Sequence, residues 1–225
     1  MSRVIAFDVN ETLLDLAALD PLFERVFGDP SLRPLWFAQM LQVAFVGVIT
    51  GNYIDFGTAQ RAALVMVAQR TGADLDEQGA DEIVTAMSSL PPHPEVRAAL
   101  ERLHEAELRL AAFTNSTREV AEAQISSAGL RDLFDQVLSA DEVKRLKPAP
   151  EPYRMAAERF STDVGDVRLV AAHAWDVAGA LAAGCCAAFV ARPGMVLSPI
   201  GPQPDVVGVD LREVAERILA IDAPR

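Results

Sequence analysis

Apolar positions along this chain follow two rhythms. Short apolar runs bounded by turn residues read as strands at Arg3 to Phe7, Leu108 to Phe113, Gln136 to Leu138, Val167 to Ala171, Ala187 to Val190 and Val206 to Val209. Between or after them the spacing turns helical, at Arg118 to Ser127, Glu151 to Phe160, Asp176 to Ala183 and Leu211 to Ile221. This alternation predicts an α/β fold, a doubly wound parallel sheet. The stretch from Leu16 to Ser89 breaks the alternation, with helical periodicity near 16–27, 34–49, 57–70 and 76–88 and no convincing strand. It predicts a helical cap subdomain, residues 16–89, inserted into a core domain made of residues 1–15 and 90–225. Pro91-Pro92-His93-Pro94 reads as a rigid linker before the next helix, and Gly28-Asp29-Pro30 and Gly51-Asn52 punctuate the insert. The run Met40 to Ile49 falls short of the about 20 residues that span a bilayer and reads as a buried helix.

Composition narrows the partners. The chain has 225 residues, 51% of them hydrophobic and 23% charged, as in a folded protein with a substantial core. Its net charge of −12 repels phosphate backbones and anionic lipid, so neither nucleic acid nor membrane is an expected partner. Cys185 and Cys186 are adjacent and badly placed to bridge, and the N-terminus lacks the long apolar run of a signal peptide. Both features suit a reducing cytoplasm.

Four polar clusters follow strands: Asp8 to Thr12, Thr114-Asn115, Lys147-Pro148 with Tyr153, and Ala171 to Asp176. In a parallel sheet such clusters meet at one edge, where ligands bind. They bring together a carboxylate able to act as a nucleophile, hydroxyl and amide donors, one ammonium, and a second carboxylate to hold it. Taken singly, each has a plainer reading. Asp8 suits a turn, Thr114 and Asn115 suit a helix start, Lys147 suits a solvated turn, and His173 suits a structural role. Trp36, Phe37, Phe45 and Tyr53 have the spacing of cap core, and His93 and His104 read as linker and surface residues.

Together, FDVNETLLD, FTNST, LKPAPEPY and AAHAWDVAGA resemble the four motifs of the haloacid dehalogenase superfamily, in order and over nearly the whole chain. Trp175-Asp176, Tyr153 after Lys147-Pro148, and Leu35-Trp36 in the insert resemble its type II (S)-2-haloacid dehalogenase branch. Phosphatases of the superfamily use an acid two residues after the nucleophile and bind magnesium partly through an acid four residues before the last aspartate. Here those positions are Asn10 and Ala172, which can neither donate a carboxylic proton nor ligate a hard cation. A halide leaving group needs neither, so the resemblance implies no metal and no cofactor.

The implied reaction is attack of Asp8 on C2 of a short 2-haloalkanoic acid, then hydrolysis of the aspartyl ester by water to a 2-hydroxy acid. By the same resemblance Lys147 keeps Asp8 ionised, Asp176 positions Lys147, Thr12, Thr114 and Asn115 hold the substrate carboxylate, and Tyr153 packs around Lys147 and the substrate. The branch carries an arginine after the cap tryptophan, whereas Trp36 is followed by Phe37, and Asn10 and His173 also depart from its pattern; by the resemblance Asn10, Trp36, Phe37 and Trp175 are substrate-binding candidates. Two roles stand open for His173: with Asn10 and the edge of Trp36 or Trp175 it replaces the arginine around a halide as small as that of fluoroacetate, or it is the base for ester hydrolysis. A homodimer through the cap accords with the resemblance. The rival readings are a phosphatase of the superfamily and a catalytically silent binding protein on the same fold.

Overall fold

Strand β1 (Val4–Phe7) is apolar and buried on both faces, as a central strand of a helix-covered parallel sheet must be. In the computed structural model, which describes residues 3–223, a cap follows it: α1 (Asp20–Phe27), α2 (Leu32–Thr50), α3 (Phe56–Thr71) and α4 (Glu77–Ala86). The chain then returns through α5 (Val96–Glu105), β2 (Arg109–Thr114), α6 (Arg118–Ser127), β3 (Gln136–Ser139), α7 (Pro150–Arg159), β4 (Val167–Ala171), α8 (Ala174–Ala183), β5 (Cys186–Val190), β6 (Val206–Gly208) and α9 (Leu211–Asp222). The expected strands and core helices appear at nearly the anticipated places.

All neighbouring strands pair in parallel, in the order β3-β2-β1-β4-β5-β6. The order reverses at β1, so the crevice beyond its carboxyl end is the switch point where such sheets bind ligands. Asp8 is the first residue past that end.

The cap is joined to the core through two neighbouring crossings. Asp15 N–H donates to the Pro91 carbonyl at 2.8 Å, and His93 N–H donates to the Leu13 carbonyl at 2.9 Å. Aspartates at the starts of α3 and α4 accept from the backbone N–H groups of Thr58 and Gly79 and satisfy donors that each first turn leaves open. Trp36 is buried against Phe23, with ring centroids 5.4 Å apart.

Helix α2 corrects one expectation. It extends to 19 residues, long and apolar enough by length and composition to cross a membrane. In the fold, however, one face packs inward through Trp36, Phe37, Met40, Ala44 and Gly47. Val46 and Ile49, which are 52% and 82% exposed, face outward, so the helix is one-sided rather than buried.

Candidate active site

Asp8 leaves the sheet with its backbone N–H still bonded to the Val170 carbonyl at 2.9 Å, which fixes the carboxylate at the junction of β1 and β4. The Val9 carbonyl accepts from the N–H groups of Leu13 and Leu14 and curls residues 9–14 into a tight turn over that junction. Thr12 points back: its hydroxyl donates to Asp8 Oδ2 at 2.7 Å and accepts from the Ala172 N–H at 3.0 Å.

Lys147 comes from the loop before α7, across a cis bond to Pro148. Asn115 holds it at both backbone groups, accepting from Lys147 N–H at 2.8 Å and donating to the Lys147 carbonyl at 3.1 Å. The ammonium, wholly buried, donates to Asp8 Oδ1 at 3.0 Å, Asp176 Oδ2 at 2.7 Å and the Phe113 carbonyl at 2.8 Å. Its three hydrogens thus have three acceptors. Asp176 sits in the first turn of α8 and accepts from the Tyr153 hydroxyl at 2.5 Å through its other oxygen. Helix α8 comes this close because residue 179 is glycine, where a Cβ would lie 2.5 Å from Pro148 and 2.6 Å from the Tyr153 hydroxyl.

Burial sets one direction for these groups and their partners set the other. Burial would raise Asp8, but the Lys147 ammonium, followed by His173 and Thr12, holds it well below the usual carboxylate range. Burial would lower Lys147, and Asp176 and Asp8 raise it instead. Asp176 stands above its ordinary value, burial being the largest cause, and burial likewise lifts Tyr153 well above its own. The nucleophile candidate is therefore the more firmly ionised of the two aspartates.

His173 closes the other side. Its ring lies between Phe37 and Trp175, stacked on both with centroids 5.6 Å and 5.2 Å away. Nδ1 lies 3.2 Å from Asp8 Oδ2 and Nε2 lies 2.9 Å from Glu11 Oε2. Burial would lower His173, but hydrogen bonds to Asp8 and Glu11 and their charges raise it to about 9. It is an imidazolium at neutral pH, donating from both nitrogens. Arg33 of α2 reaches the other Glu11 oxygen at 3.7 Å and pairs with Asp20.

Of the residues singled out in the sequence, Asp8, Thr12, Lys147, Tyr153, His173 and Asp176 form one bonded network. Three expectations change. Thr12 spends its only hydroxyl hydrogen on Asp8 and has none for a substrate carboxylate. Asn115 is first of all the clamp on Lys147. Trp36 is buried in the cap and its indole N–H donates to the Gln60 carbonyl at 3.1 Å, so it does not line the site. Phe37, in contrast, reaches the site as one wall of the His173 stack.

Thr114 is buried at the end of β2, its hydroxyl accepting from Ser116 N–H at 3.2 Å. Asn10 Oδ1 accepts from Gln124 Nε2 at 2.9 Å. Trp175 Nε1 is buried with no hydrogen-bond partner among the described residues, beside His173 and edge-on to Phe45. Tyr53 is a tie between cap and core, its hydroxyl donating to Asp141, and His93 is more than a linker residue, with Nε2 at 3.3 Å from the Glu11 carbonyl.

Glu11, Gln124 and Gly179 contribute without having been singled out. Gln124 was detectable as a polar residue on the buried stripe of α6 beside Ala121 and Ile125. Glu11 carried no such signal, since its φ of 62° and its partner both arise from the folded turn.

The fold and this network define a hydrolase with a capped site at the switch point of a parallel sheet. The chain belongs to the haloacid dehalogenase-like hydrolase family, whose model matches residues 2–184. It is 31% identical over 214 residues to the (S)-2-haloacid dehalogenase of Pseudomonas sp. strain YL, covering 94% of this chain and 92% of that protein. Over 205 residues it is 30% identical to haloacetate dehalogenase H-2 of Moraxella sp. strain B, covering 90% and 92%. The structure of L-2-haloacid dehalogenase from Xanthobacter autotrophicus with chloropropionic acid covalently bound superposes with a TM-score of 0.90 at 25% identity, covering 98% of this chain and 99% of that one.

Proposed function

We propose that this protein cleaves the carbon–halogen bond of short 2-haloalkanoic acids through an ester on Asp8, without a metal. The observation that carries this reading is the Asp8 carboxylate, held ionised by a wholly buried ammonium in a site closed by aromatic rings. Oδ1 stays on Lys147, while Oδ2, which takes the Thr12 hydroxyl, faces His173 and is the oxygen that attacks C2. The C–halogen bond breaks as the O–C bond forms, and the halide leaves with the bonding pair.

The cation and donor the halide needs come from the His173 imidazolium and the free indole N–H of Trp175, in place of the guanidinium that Phe37 displaces. His173, its two N–H groups held by Asp8 and Glu11, offers the halide its charge and Trp175 offers the free N–H, an arrangement that favours small substrates, fluoroacetate among them. Water then hydrolyses the ester, and Lys147 stabilises the oxyanion that forms on Asp8.

A phosphatase reading finds less support. Asn10 has no acidic proton and its carbonyl is taken by Gln124. Both Asp176 oxygens are bonded, one to Lys147 and one to Tyr153.

The test is halide release across fluoro-, chloro- and bromoacetate and both 2-chloropropionate enantiomers, with and without a chelator. Release unaffected by the chelator is expected, and multiple turnovers in heavy-oxygen water place label in Asp8. Absence of halide release from every 2-haloacid, with magnesium-dependent hydrolysis of p-nitrophenyl phosphate in its place, overturns the reading.

A further inference from the structure

Glu11 has no place in the attack on C2, yet it is tied more closely to His173 than Asp8 is, at 2.9 Å against 3.2 Å. It holds that place from a backbone φ of 62°, which residues with a Cβ rarely adopt. Its other oxygen faces Arg33, and on its far side a cavity of about 300 Å³ lined by Arg33, His93 and Arg192 borders it. The imidazole is thereby fixed between two carboxylates, one of which disappears as a charge during the reaction.

We propose that His173, positioned by Glu11, is the base that removes a proton from the water attacking the Asp8 ester. This rests on the dehalogenase reading above. When Oδ2 becomes an ester oxygen, Asp8 loses its charge and the acceptor of Nδ1–H is gone. His173 keeps Glu11 as its one carboxylate partner through Nε2–H, and the proton it loses is the one on Nδ1, which leaves with the halide for solvent as the one proton that hydrolysis of a carbon–halogen bond yields overall.

Neutral Nδ1 then takes a proton from water as the water oxygen bonds to Cγ of Asp8. The tetrahedral intermediate breaks its Cγ–O bond to the product, and His173 returns that proton to the departing alkoxide, giving the 2-hydroxy acid. The carboxylic proton left on Asp8 passes to Nδ1, restoring carboxylate and imidazolium. One histidine thus serves as a cation for the first half-reaction and a base for the second.

The charged groups around this pair are Asp8 and, behind it, Lys147, Asp176 in the first turn of the helix that begins just after His173, and Arg33 facing Glu11, with the His93 ring on the Glu11 carbonyl. Removing the Glu11 charge leaves the imidazole a weaker base. The rate of ester hydrolysis falls, and the acidic limb of its pH profile moves to lower pH by about one unit.

The experiment is a rapid-quench single turnover of chloroacetate by the full chain, following chloride, glycolate and the mass of the Asp8 peptide. Glu11→Gln is expected to keep the chloride burst, accumulate the Asp8 ester, hydrolyse it on the order of 10-fold more slowly and show the shifted limb. His173→Gln should slow hydrolysis by about 10²-fold. Glu11→Gly, which suits the positive φ, serves as the second variant should Gln disturb the turn. An intact chloride burst with wild-type ester hydrolysis and an unshifted limb overturns this proposal alone. No chloride from the wild-type enzyme brings down the dehalogenase reading and this proposal with it.

Discussion

Two ion clusters adjoin strand β4, one from within it and one just past its end. Arg168, within the strand and 1% exposed, donates to Asp205, Asp222 and the Ala187 carbonyl, and Arg3 meets Asp222 at 2.8 Å. Two guanidinium groups thus face two carboxylates. At the other cluster Asp8, Glu11, Asp176 and Asp20 face Lys147, His173 and Arg33, four carboxylates for three cations. The first cluster holds its protons firmly, because a guanidinium does not titrate and the aspartates raise its pKa further. The second contains an imidazole whose charge depends on its neighbours. A balanced cluster fastens the sheet to α9, while an unbalanced one with a movable proton and an unpaired indole N–H suits chemistry.

Substitutions separate the two. The largest effect on rate is expected at Asp8: Asp8→Asn should cut halide release by at least about 10³-fold, with thermal unfolding showing that the fold persists. The contrasting change is Arg168→Met, which leaves the Asp222 side chain buried with only Arg3 beside it. Denaturant unfolding should show a loss of about 3 kcal/mol with halide release per folded molecule unchanged. If that variant loses activity without losing stability, the division between the clusters fails.

A smaller effect separates them by pH. His173 is raised from 6.5 to about 9, so its contribution to stability is complete below 6.5 and lost as pH rises through 9. Denaturant titrations across that window should show wild type losing up to about 3 kcal/mol more than His173→Asn. The Arg168 cluster contributes no slope there. The smallest effect is expected for Asp205→Asn, whose side chain is 53% exposed, at below about 1 kcal/mol.

Both clusters were present in the sequence, and only part of one was legible there. Asp8, Lys147 and Asp176 stood at strand ends or helix starts in a recognisable order. Arg168 read as an ordinary strand residue, since nothing local shows that Asp205 and Asp222 fold back onto it from 37 and 54 residues away. Thr12 and Asn115 were noticed for the right region and given the wrong partners: their donors meet Asp8 and the Lys147 backbone before any substrate. Trp36 and Trp175 were interchangeable as indole donors until packing gave one the Gln60 carbonyl and left the other free.

The sequence by itself determined the sheet, the helices, the inserted cap and the family, because apolar periodicity and motif order are local properties that burial then reads out. Only the tertiary structure decided which donors remain free, that Phe37 walls the site by stacking on His173, and that Glu11 holds that histidine. Those outcomes depend on angstrom-scale distances between residues far apart in the chain, and a buried hydrogen bond or charge acquires its value only when its partner and its desolvation are fixed together.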